Sequence, residues 1–135
     1  GIRNVLLRNN TVSPATTTRL NSGINQTQPS ISNDGQFITM MRRNSTNNNY
    51  MVMLYNRVAN TYTTARSVPD VMEHPSVSNS AEKIAWLQRT GTNNLIFVRD
   101  IAANTNTQVL STTDQLNHPH LSADGLTLTF AQQVT

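Results

Sequence analysis

The chain has 135 residues and no cysteine, with 13% charged and 36% hydrophobic residues and a net charge of +3. That length suits one ordinary domain, while the lack of cysteine excludes disulfides, thiolate zinc sites and cysteine nucleophiles. The charge is too low for a disordered solvating tail, and no apolar run approaches the roughly 18 to 20 residues that span a bilayer. In chain order, two short strands are expected first, Val5-Leu6-Leu7-Arg8-Asn9 and Thr16-Thr17-Thr18-Arg19-Leu20. Next come the segment Gln28-Pro29-Ser30-Ile31-Ser32 and a Ser32-Asn33-Asp34-Gly35 turn. An alternating strand, Phe37 to Met41, leads through the polar loop Arg42 to Asn49 into an apolar strand, Met51 to Asn56. An Ala59-Asn60-Thr61 turn and a Thr-rich strand, Thr61 to Ala65, follow.

The same order then recurs. His74-Pro75-Ser76-Val77-Ser78 and His118-Pro119-His120-Leu121-Ser122 align with the first proline segment at steps of 46 and 44 residues. Strands are expected at Ile84 to Leu87, Leu95 to Asp100, Thr105 to Leu110 and Leu126 to Phe130. Ser122-Ala123-Asp124-Gly125 repeats the Asp-Gly turn, whereas Ser78-Asn79-Ser80-Ala81 departs from it. Ala103-Asn104-Thr105 repeats Ala59-Asn60-Thr61. β-Branched residues favour strands, Asp-Gly suits tight turns, and the Asn of each Ala-Asn-Thr turn fits a left-handed backbone position. No sustained 3.6-residue apolar period is present, so almost no helix is expected.

Four strands in about 45 residues is the spacing of a β-propeller blade. The pattern Pro-x-hydrophobic-Ser-x-Asp-Gly, followed by two strands and a short fourth, resembles the TolB-like, WD-repeat-like propeller family across essentially the whole chain. The Gly-His and Trp-Asp signatures of true WD repeats are absent. The chain is expected to be all-β, with three blades' worth of strands divided as follows. Residues 1–21 form a half blade (its third and fourth strands), 22–66 and 67–112 form full blades, and 113–135 form a half blade (its first two strands). Joined end to end, Gly1 after Thr135, the aligned prolines would recur after 46, 44 and 45 residues. Three blades fall below the usual four to eight, and unpaired apolar edges invite pairing with another chain. The expectation is a two-fold homodimer closing a six-bladed ring, with a piece of a longer propeller as the alternative.

The residues preceding the prolines, Gln28, His74 and His118, with neighbours Glu73 and Asn117, are the candidate ligand-binding set, because innermost strands border a propeller's central channel. Hydrogen bonding between blades is the expected role for these side chains. A metal site is not expected, because the three His lack a fixed ligand spacing. His118 and His120 would share a face if Pro119 left the pleat undisturbed. Asp34 and Asp124, each preceding Gly, are read as turn residues, and Trp86, the only Trp, as packing between blades. Arg42 and Arg43 are assigned to an exposed loop. The sequons Asn9-Asn10-Thr11, Asn25-Gln26-Thr27 and Asn44-Ser45-Thr46 are expected by chance in a chain with 18 Asn and 19 Thr. The nine Arg are scattered, without the clustered stripe of a nucleic-acid binder. No Gly-x-Ser-x-Gly elbow, paired carboxylates or phosphate-cradling loop appears, so neither enzymatic activity nor a cofactor is expected. The resemblance implies a noncatalytic protein-binding scaffold in a periplasmic or extracellular setting, with a carbohydrate- or small-ligand-binding module as the alternative. The prolyl oligopeptidases carry a related propeller beside a hydrolase domain, and their activity does not transfer to these residues.

Overall fold

A computed structural model describes residues 1–20 and 25–134; the expected boundary at 21/22 and Thr135 lie outside these. Twelve strands follow one another: β1 (Val5–Asn9), β2 (Thr16–Leu20), β3 (Gln26–Ile31), β4 (Phe37–Arg43), β5 (Tyr50–Asn56), β6 (Thr61–Val68), β7 (Val71–Val77), β8 (Lys83–Thr90), β9 (Asn93–Asp100), β10 (Thr105–Thr112), β11 (Gln115–Leu121) and β12 (Leu128–Gln133). The only helical turn among the described residues is a 3-10 turn at Asn79–Ala81. Every sheet is an antiparallel meander. β3 to β6 and β7 to β10 form four-stranded sheets, and β1–β2 and β11–β12 form two-stranded ones. The innermost strands β3, β7 and β11 lie side by side, so the sheets stack around a shared axis like blades.

Three apolar clusters hold the stack together. Val5 and Leu20 of β1–β2 pack against Ile38, Met40, Met53 and Tyr55. Met41, Val52, Leu54 and Ala65 pack against Ile84 and Trp86. Leu87 and Ile96 pack against Leu116. The alternation read in Phe37 to Met41 therefore does not separate core from solvent. Residues 38 to 41 are all buried, because each face of the sheet meets another sheet. Ile38 and Met40 enter one interface and Met41 the opposite one. The period of two distributes side chains between two cores.

The turns explain where strands start. Ser32 Oγ accepts the Phe37 N–H at 2.9 Å, and Asp34 Oδ1 accepts the Gln36 N–H at 3.0 Å. The third copy repeats this with Ser122 accepting from Thr127 and Asp124 from Leu126, both at 3.0 Å. Asp124 holds Leu126 in the turn as Asp34 holds Gln36, and β12 begins at Leu128 rather than at Leu126. In the middle copy Ser78 keeps its role, accepting the Lys83 N–H at 2.9 Å. Ser80 and Ala81 there take positive φ (56° and 52°) in place of Asp-Gly. Asn79 links the turns on either side: its Oδ1 accepts the Asp34 N–H at 3.1 Å and its N–H donates to the Ala123 carbonyl at 2.7 Å. Asn60 and Asn104 occupy the left-handed positions read from the sequence, with φ of 52° and 54°.

Candidate functional site

Each innermost strand breaks its ladder at the residue before proline. Proline has no N–H to donate, and the register shifts between Thr27 and Ser30, Glu73 and Ser76, and Asn117 and His120. Gln28, His74 and His118 themselves adopt positive φ of 52°, 52° and 50°, a conformation uncommon outside glycine. The three bulges align side by side and form the floor of an open depression of about 510 Å³, bordered also by His120. Because the register shifts between Asn117 and His120, the pleat that would have placed His118 and His120 on one face is interrupted; both nonetheless border the depression.

Gln28 Oε1 accepts the His74 backbone N–H at 2.8 Å. The His74 and His118 rings lie 4.3 Å apart, tilted by 54°. Burial, then the neighbouring His118, lowers the His74 pKa, with Glu73 opposing the shift and Arg89 adding to it. Gln28, His74 and His118 thus come together, each contributed by a different sheet. Glu73 bonds Arg89 at 2.8 Å and, with Gln28, lines a separate cavity of about 420 Å³. Asn117 is half-buried and lines neither space. Among the described residues no three His, Asp or Glu side chains come close enough to hold a metal ion.

Asp34, Asp100 and Asp124 are each held by hydrogen bonds of their own turns. Asp34 accepts from the Ser32 hydroxyl at 2.6 Å. This bond, then the Gln36 N–H, holds its carboxyl below the usual range. Asp124 is lowered in the same way by Ser122 and then by the Leu126 N–H. Asp100 is lowered by the Ala103 N–H and then by Lys83. Trp86 is fully buried and stacks on Phe97 at 5.7 Å. Arg42 and Arg43 are not loop residues. They end β4, opposite Met51 and Tyr50, because the β4–β5 hairpin continues past the apolar run. The hairpin register, extended backward from Phe37 opposite Asn56, was the signal that places them there.

No family model and no curated protein sequence matches the chain. Solved structures do. TolB from Acinetobacter baumannii is similar at a TM-score of 0.70 and 15% identity, over 87% of this chain and 29% of that one. The β-propeller domain of the Trilobed protease from Pyrococcus furiosus, which has an open velcro topology, gives 0.64 at 15% identity over 81% and 34%. The tricorn protease gives 0.62 at 14% identity over 89% of this chain and 12% of that one. The chain therefore spans about a third or less of the structures it resembles. Likeness at this level identifies the fold: these sheets are blades of a TolB-like β-propeller.

Proposed function

We propose that the chain is a noncatalytic propeller scaffold for protein–protein interaction in a periplasmic or extracellular setting, and that two copies close one six-bladed ring. The setting and the partner class are carried over from the resemblance. The carrying observation for assembly is a pair of incomplete blades. β1 pairs only with β2 and β12 only with β11, so each has an unpartnered edge among the described residues. In the full blades the second and third strands meet with Met40 opposite Met53 and Trp86 opposite Phe97. The matching positions of the half blades are Phe130 and Leu6, which are 41% and 60% exposed. Pairing β12 with β1 of a second copy would bring these two side chains opposite each other and cover both. It would also seat β2 and β1 over a groove of about 490 Å³ walled by Val98, Val109, Leu126 and Leu128. On the pattern of Asn79, Asn33 of the second copy would accept the Asp124 N–H at this seam.

Light scattering on the 135-residue chain tests the assembly. A mass of about 30 kDa, twice 15.0 kDa, is expected. Leu6→Lys places a charge at the seam and is expected to return the chain to a monomer, since β1 keeps its buried Val5 contact with Met40 and its neighbours. A wild-type chain that stays at 15 kDa at high micromolar concentration would end the dimer proposal.

A further inference from the structure

The cavity beside the depression has a distinct chemistry. It measures about 420 Å³ and is lined by Arg3, Arg42, Arg43, Asn25, Gln28 and Tyr50, together with Glu73. A second hollow of about 380 Å³ continues past Asn25, Arg42 and Arg43. Three arginines, Arg3, Arg42 and Arg43, line this region, and the ion pairs of the described residues use none of them. Glu73, the carboxylate on the wall, already bonds Arg89 at 2.8 Å. Arg42 Nε is enclosed by protein and has no acceptor among the described residues. An enclosed charged donor without an acceptor is costly unless something supplies one.

The neutral groups on the wall also favour donation. Asn25 Oδ1 accepts the Arg3 N–H at 2.9 Å, and its amide NH₂ has no acceptor among the described residues. Gln28 Oε1 accepts the His74 N–H, and its NH₂ likewise has no acceptor among the described residues. The Arg3 carbonyl accepts the Gln26 N–H at 2.9 Å, so two backbone-level bonds fix the Arg3 rim to the start of β3. The Arg43 guanidinium lies 5.1 Å from the Tyr50 ring centroid, a cation–π contact that positions it. The wall carries three arginines against one carboxylate that is already paired with Arg89, and planar guanidinium forks match oxyanions bidentately.

We propose that this cavity binds a small oxyanion ligand, one bearing carboxylate or phosphate groups, with Arg42 as the inner anchor and Arg3 and Arg43 at the rim. The volume lies at the lower end of small-molecule sites and suits a compact, multiply charged anion. Arg42 and Arg43 lie on β4, away from the open strand edges, whereas Arg3 precedes β1 and would stand opposite Gln133 of a second copy in the proposed pairing, so the mass of the wild type and of each variant is measured alongside binding.

Isothermal titration of the full chain at low ionic strength tests it, with citrate in one arm and inorganic phosphate in the other. Saturable binding of either anion is expected, and the arm that binds identifies the group recognised. Arg42→Gln, and Arg3→Gln as an exposed substitution that leaves the core untouched, should each weaken binding about tenfold or more. Arg99→Gln, at a residue that bonds Asn104 and Asn106 away from the cavity, should leave it unchanged. Absence of binding for both anions at millimolar concentration, or affinity unchanged in both Arg42→Gln and Arg3→Gln, would overturn the proposal.

Discussion

His74 carries a pH signature at the residue scale. Burial disfavours its imidazolium and His118 adds to this, so its folded pKa lies below the ordinary value of about 6.5. A base whose pKa falls on folding contributes stability that is complete above the unfolded pKa and is lost as pH drops through the folded one. The groups around it are Glu73, His118 and Arg89. The melting temperature is therefore expected to fall between pH 7.5 and pH 5, and the fall should shrink in His74→Asn, since Asn tolerates a positive φ. Imidazole titration by NMR in His118→Asn should show the His74 pKa moving up; an unmoved pKa would refute the contact between the two rings as a cause. The motif His-Pro was legible in the sequence, as was its recurrence with Gln-Pro. The left-handed backbone at these positions was not, because pre-proline residues ordinarily prefer extended conformations. Only the three neighbouring bulges, with Gln28 bonded to the next strand, account for it here.

At the scale of turns and strands, two glycines with nearly the same backbone have different surroundings. Gly91 has φ +61° and nothing within 4 Å of an added Cβ, whereas Gly125 has φ +70° and its Cβ would lie 3.2 Å from Ser78 Cβ. Ser78 is fully buried, and its Cβ moves only with its backbone. Gly91→Ala is expected to cost about 1 to 2 kcal/mol, the left-handed penalty alone. Gly125→Ala should cost more, by chemical denaturation, because a clash with the adjacent turn is added. Equal losses would mean that the turns do not pack as described. Trp86 on β8 is the largest fully buried side chain, and truncation to Ala should cost about 3 to 5 kcal/mol, a large share of a domain's typical 5 to 15. Its assignment to packing between blades followed from the surrounding Ile84-Ala85 and Leu87. Its partner Phe97 follows from the hairpin register, which sequence periodicity does not provide. The β4–β5 register likewise places Arg42 and Arg43 in a strand rather than a loop, and so on the wall of a cavity.

For the whole molecule, stability and assembly are linked. If two copies bury Leu6 against Phe130, the melting temperature should rise with protein concentration by mass action, and this dependence should disappear in Leu6→Lys. A concentration-independent melting temperature in both would contradict the shared ring. The repeat period, the strand order, the turn asparagines and the propeller class were determined by the sequence alone, because each rests on local chemistry: β-branching, Asp-Gly turns and a spacing of about 45 residues. Tertiary structure decided which side chains meet. Of the candidate set, Gln28, His74 and His118 border the histidine depression, Glu73 and Gln28 line the arginine-rich cavity and Asn117 lines neither, because blades bring together residues some 46 positions apart, such as Gln28 and His74. No local pattern encodes that juxtaposition; it arises from stacking sheets whose two faces both seek apolar cover.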